Sequence, residues 1–115
     1  MDTMQQVELL RAACCIVAAD GEVTPNEQTA IDRLADRCGA GAASVRAMLD
    51  LAASDPKFVD RQLKLVGADG EKIIRMLCKI AMIDGKVAPE EREMLDRFAD
   101  KAGVDRAVVV RSLGG

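Results

Sequence analysis

Asp20-Gly21-Glu22-Val23-Thr24-Pro25-Asn26-Glu27 returns, 64 residues later, as Asp84-Gly85-Lys86-Val87-Ala88-Pro89-Glu90-Glu91. The same shift, without a gap, lays Arg11 on Arg75, Cys14 on Cys78 and Ile16 on Ile80 ahead of the phrase. Behind it, Asp32, Arg33, Ala35, Asp36 and Gly39 fall on residues of their own type. Matches this dense over 11–39 and 75–103 mark an internal duplication, so whatever fold one unit takes the other must take too.

Each unit reads as helix, turn, helix. In the first, Thr3 and Gln6 have the spacing of a capping box, and the apolar run from Val7 to Ala19 covers most of a helix circumference, which predicts burial. Asp20-Gly21 ends that helix, since glycine enters the left-handed region without steric cost. Thr24-Pro25-Asn26-Glu27 then restarts the chain, with threonine as N-cap, proline at the first helical position and glutamate closing the box. Ala30, Ile31, Leu34, Ala35 and Cys38 form the apolar stripe of this second helix, and Gly39 closes it.

Between the units, 39–44 reads as a loop of small residues, and Val45, Met48, Leu49 and Ala52 predict a short helix. Asp55-Pro56 opens another through Phe58, Val59, Gln62, Leu63 and Val66, and 67–70 breaks the chain. Ile73 to Ile83 then repeats the first helix and is the most hydrophobic stretch. Pro89 starts its partner, which buries Met94, Leu95, Phe98, Ala99 and Ala102 and stops at Gly103. Asp105 caps a last helix through Val108, Val110 and Leu113, although three consecutive valines also suit a strand. No segment alternates over strand length. The fold class predicted is all-α: a single compact domain, 1–115, of six or seven helices built from two related helix-turn-helix units.

Composition narrows the function. Half of the 115 residues are hydrophobic, and a chain of this length buries roughly two-thirds of its unfolded surface without needing a disulfide or structural metal. Net charge is −3 with the two signs interleaved, and Phe58 and Phe98 are the only aromatics, so nothing points to nucleic acid or to an anionic membrane surface. Histidine is absent, which removes the commonest general base and transition-metal ligand, and no enzyme is expected. Cys14, Cys15, Cys38 and Cys78 contain no two-residue spacing and read as small apolar residues of a reducing compartment. An acid near Met1 and Arg11 inside the apolar run argue against a secretory signal, and no stretch is long enough to span a bilayer. The expectation is a cytoplasmic protein.

The repeated phrase also resembles half of a calcium loop. Asp20 to Glu27 would fill the fifth to twelfth positions of an EF-hand, yet the first and third would be Ile16 and Ala18, or Ile80 and Met82 in the second copy. A self-contained EF-hand is therefore excluded. If the units pack about a pseudo-twofold axis near the turns, Asp20, Glu27, Asp84 and Glu91 converge, with Glu22, Asn26 and Glu90 nearby. Two like charges about 5 Å apart repel by roughly 3 kcal/mol at an effective dielectric of about 20, so such a cluster would attract calcium, magnesium or manganese. The competing reading is helix capping alone, with no ion. Ala88 in place of Thr24 favours the first, because the second box has lost its hydroxyl while Asp84 and Glu91 stay.

Ala18-Ala19-Asp20-Gly21-Glu22-Val23 with Pro25 and Glu27, and Ile83-Asp84-Gly85-Lys86-Val87 with Pro89 to Glu91, resemble the signature of TerB-like domains of bacterial tellurite-resistance and stress proteins. The resemblance implies a non-enzymatic two-unit helical module that binds divalent metal through Asp20, Glu27, Asp84 and Glu91. It also implies docking onto a protein partner, in some contexts at the inner membrane. Lys86, where the first unit has Glu22, departs from a symmetrical two-ion site. A metal-free interaction scaffold, with the acids only capping helices, is the alternative.

Overall fold

Gly21 and Gly85, at φ of 82° and 77°, turn the chain at equivalent points of the two units, and everything else is arranged around these elbows. The structure is a computed structural model describing residues 2–63 and 70–114. Among the described residues it holds seven α-helices and no strand: α1 (Thr3–Val17), α2 (Pro25–Cys38), α3 (Ala42–Ser54), α4 (Pro56–Leu63), α5 (Gly70–Ala81), α6 (Pro89–Ala102) and α7 (Arg106–Ser112). The radius of gyration of 12.6 Å is that of one compact body.

The duplication is legible in the packing. α1 lies on α2 and α3 as α5 lies on α6 and α7, α1 meets α5 directly, and the crossed pairs α1 with α6 and α2 with α5 are both made. Equivalent residues share fates: Leu10, Ala13, Cys14 and Val17 are buried on α1, and so are Ile74, Leu77, Cys78 and Ala81 on α5. The two helices are nevertheless not equals. α1 is surrounded by five helices and buries every residue from Leu9 to Val17 except Arg11, whereas α5 buries one stripe and turns Glu71, Arg75 and Lys79 to water. α4, which has no counterpart in the repeat, supplies the extra cover by seating Phe58, Val59 and Leu63 against α1 and α6. Burying each such side chain contributes about 1.5–3 kcal/mol, so this core rather than local propensity holds the helices.

Several expected boundaries move. The box at the start of α1 is made by Asp2 and Gln5, one residue before Thr3 and Gln6, because the Asp2 carboxylate takes the Gln5 amide at 2.8 Å while Gln5 returns the bond to Asp2 N at 3.1 Å. The helix proper ends at Val17, and a tight turn over 18–20 precedes Gly21. α3 starts at Ala42 inside the expected loop, since alanines 42 and 43 propagate helix readily once the chain leaves Gly41. Gly70 is the first residue of α5 rather than part of a break. A Cβ there would stand 3.2 Å from that of Ala102, so the absent side chain lets α5 approach the end of α6. On α7, Val109 takes the fully buried place expected for Val110, which is exposed. The expected places of Val66 and of 67–69 lie outside the described residues.

The remaining ends follow the sequence. Thr24 caps α2, Asp55 accepts the Lys57 amide at the start of α4, and Asp105 caps α7 through Ala107 N. Gly39 and Gly103 close α2 and α6 in the left-handed conformation, at φ of 74° and 69°. The cysteines are free thiols; Cys14, Cys15 and Cys78 are buried, and burial pushes them up to about 12, about 12 and about 11, far from the reactive thiolate range. Asp96 on α6 is half-buried, with Oδ1 3.6 Å from Arg92 Nε.

Candidate functional site

Glu27 and Glu91 reach the same place from opposite units. Each is the third residue of its helix, so its side chain curls back over the first turn, and Oε1 accepts the N-cap amide: Thr24 N to Glu27 and Ala88 N to Glu91, both at 3.0 Å. The remaining parts of the carboxyl groups face one another within hydrogen-bond reach. Contact between equivalent residues of two copies is the mark of a twofold relation, so the pseudo-symmetry axis runs through this pair.

Both glutamates are buried, at 4% and 3% exposure, although acids at helix N-termini usually stay in water. Oε2 of Glu91 is buried without a hydrogen-bond donor. Its contact with Glu27 becomes a hydrogen bond only when one of the two carboxyls is protonated, since two carboxylates offer acceptors alone. The Glu91 carboxyl is accordingly pushed up to about 7. Burial is the main cause, the Ala88 amide opposes it, and the Glu27 carboxyl and the Asp20 charge add to it.

Asp84 joins the elbows from the side. Its Oδ2 accepts from Thr24 Oγ1 at 2.6 Å and its Oδ1 from Asn26 Nδ2 at 3.0 Å, so a turn of the second unit is tied to the helix start of the first. The Thr24 hydroxyl thus serves twice, accepting the Glu27 amide at 3.2 Å while donating to Asp84. Among the described residues, no equivalent bridge holds Asp20. Ala88 has no hydroxyl, and Asp20 instead closes its own turn by taking the Glu22 amide at 3.0 Å on Oδ1. Asp20 and Asp84 are exposed, as are Glu22, Lys86 and Glu90.

The four expected ligands are therefore in one region, and they are not alike. Glu27 and Glu91 form a buried pair, Asp20 lies close enough for its charge to act on Glu91, and Asp84 is bound across the elbow. Among the described residues, no three Asp, Glu or Cys side chains already stand as a cage for a metal ion. The chemistry of the donors suits a hard cation all the same: the buried Oε2 of Glu91 has no protein donor, and a proton, a water or a hard cation would satisfy it. The sequence could not show the bridging role of Thr24 and Asn26. Its one signal was that Thr24 and Asn26 are replaced by Ala88 and Glu90 in the copy.

Beside the first elbow a groove of about 440 Å³ opens between α2 and α3, lined by Val23, Val45 and Leu49 together with Asp32, Arg46 and Asp50. No described helix is long and apolar enough to cross a membrane. Comparison with known protein families, with curated proteins and with solved structures finds no match.

Proposed function

We propose that this chain is a non-enzymatic, cytoplasmic helical module of TerB type that takes up a divalent cation at the junction of its two units and docks onto a partner protein. One observation carries the cation reading: two buried carboxyls meet at the pseudo-twofold axis, and one of their oxygens has no donor. Calcium, magnesium and manganese fit an oxygen-only donor set, and a bound ion would supply the positive charge that the pair lacks. Glu27 and Glu91 would hold it, with a carboxylate from the elbows completing the shell. The ion would then join α2 to α6, and the groove beside Val23 would be the face that docks the partner. The resemblance of the doubled Asp-Gly phrase to TerB-like domains supports the same reading and suggests a stress-response setting, with a partner near the inner membrane.

The scaffold reading keeps one specific support: Glu27, Glu91 and Asp20 each accept a local main-chain amide, as plain caps would. Thermal melts separate the two. A cation binding only the folded chain, at about a hundred times its dissociation constant, adds roughly 2.7 kcal/mol, which in a domain of this size raises Tm by on the order of 10 °C over chelator-treated protein. Identical melts with calcium, magnesium, manganese and chelator would leave the scaffold.

A further inference from the structure

The two elbows carry the same acids in different bonding states. Asp84 has both oxygens occupied, by Thr24 Oγ1 at 2.6 Å and Asn26 Nδ2 at 3.0 Å. The residues that would bind Asp20 in the same way are Ala88 and Glu90, a methyl group and a second acid, and neither donates a hydrogen bond. Asp20 therefore holds one local amide through Oδ1, and among the described residues its other oxygen accepts nothing.

Resting on the cation reading above, we infer that the site is one-sided: a single divalent ion per chain is held by Glu27, Glu91 and Asp20, while Asp84 is a positioning residue that gives it no oxygen. Three observations converge on this. The first is the buried Oε2 of Glu91, which has no protein donor and faces Glu27, so the pair presents an oxygen open to a cation. The second is the different bonding of the two aspartates: no three acids stand as a cage among the described residues, so a third carboxylate would have to turn in. Asp20 can do so by giving up at most one exposed bond, whereas Asp84 would have to release two and open the contact between the units. The third is charge. Glu22 follows Asp20 at the spacing at which Lys86 follows Asp84, so the first elbow attracts a cation more strongly than the second.

The duplication thus divided the work between its copies. Thr24, Asn26 and Asp84 form a clasp, and the absence of a hydroxyl at Ala88 leaves Asp20 free to act as a ligand. Restoring that hydroxyl should undo the division.

Calorimetric titration of the full chain with manganese at neutral pH tests the inference, alongside melts of the same proteins with chelator. The unmodified chain should take up one ion. Asp20→Asn should weaken binding about tenfold or more, since it removes a ligand charge. Asp84→Asn should stay within about threefold, the scale of a screened charge nearby, while lowering the melting temperature of the cation-free protein. Ala88→Thr should raise that melting temperature and weaken manganese about tenfold, because its hydroxyl ties Asp20 as Thr24 ties Asp84. Two ions per chain, or equal losses for Asp20→Asn and Asp84→Asn, would overturn the one-sided site and leave the cation reading standing. No heat and no shift in the unmodified chain would remove both.

Discussion

The carboxyl of Glu91 stands at about 7 because burial penalises its charge, with Glu27 and Asp20 adding to the effect. Below its ordinary 4.5 it is protonated in the folded and unfolded chains alike. Between there and about 7 the unfolded chain gives up the proton and the folded chain keeps it. The native state binds more protons in that window, so this group's contribution to stability declines as pH rises through it and levels off above. In chelator, urea unfolding should show Glu91→Gln gaining on the unmodified chain between pH 5 and pH 8 by on the order of 2 kcal/mol, because the amide keeps the Ala88 bond and carries no charge. A constant difference across that range would mean that the pair is not strained by its charge. The sequence did identify Glu27 and Glu91 as the residues to watch, through their place in a capping box. That they would be buried and touching depends on how two helices far apart in the chain cross, which no local pattern encodes.

At the scale of the helix, the starts and stops were legible wherever a side chain or a glycine decides them locally. Thr24-Pro25 and Pro89 open α2 and α6, and Gly39 and Gly103 close them, as the spacing predicts. Ends set by several near-equal options were not: Asp2 and Thr3 compete for one cap, and alanines extend α3 backward into its loop. The two related helix starts offer a matched experiment. Thr24→Ala removes the acceptor for the Glu27 amide and the donor to Asp84 together, and chemical unfolding should register a loss of about 1–2 kcal/mol. The second unit already lives without that hydroxyl, which leaves the Glu91 to Ala88 N bond as the remaining half of its box. A Thr24→Ala protein as stable as the unmodified one would show that the clasp between units contributes nothing.

For the whole molecule, the repeat specified more than periodicity could. It favoured helix for Val108 to Val110, where three valines also suit a strand, and α7 indeed packs on α5 as α3 packs on α1. It did not reveal the inequality of the halves, since α4 lies outside the repeat and packs on α1, with no counterpart on α5 among the described residues. That inequality continues at the elbows, where one junction is clasped and the other is open, and the cation proposed here belongs to the meeting of the two. The most direct measurement is anomalous scattering from crystals of the full chain grown with manganese. The account predicts one peak per chain, beside the carboxyls of Glu27 and Glu91 and on the Asp20 side of the pair. Crystals with no peak at that pair, and with Glu27 and Glu91 contacting only each other and their N-cap amides, would contradict it.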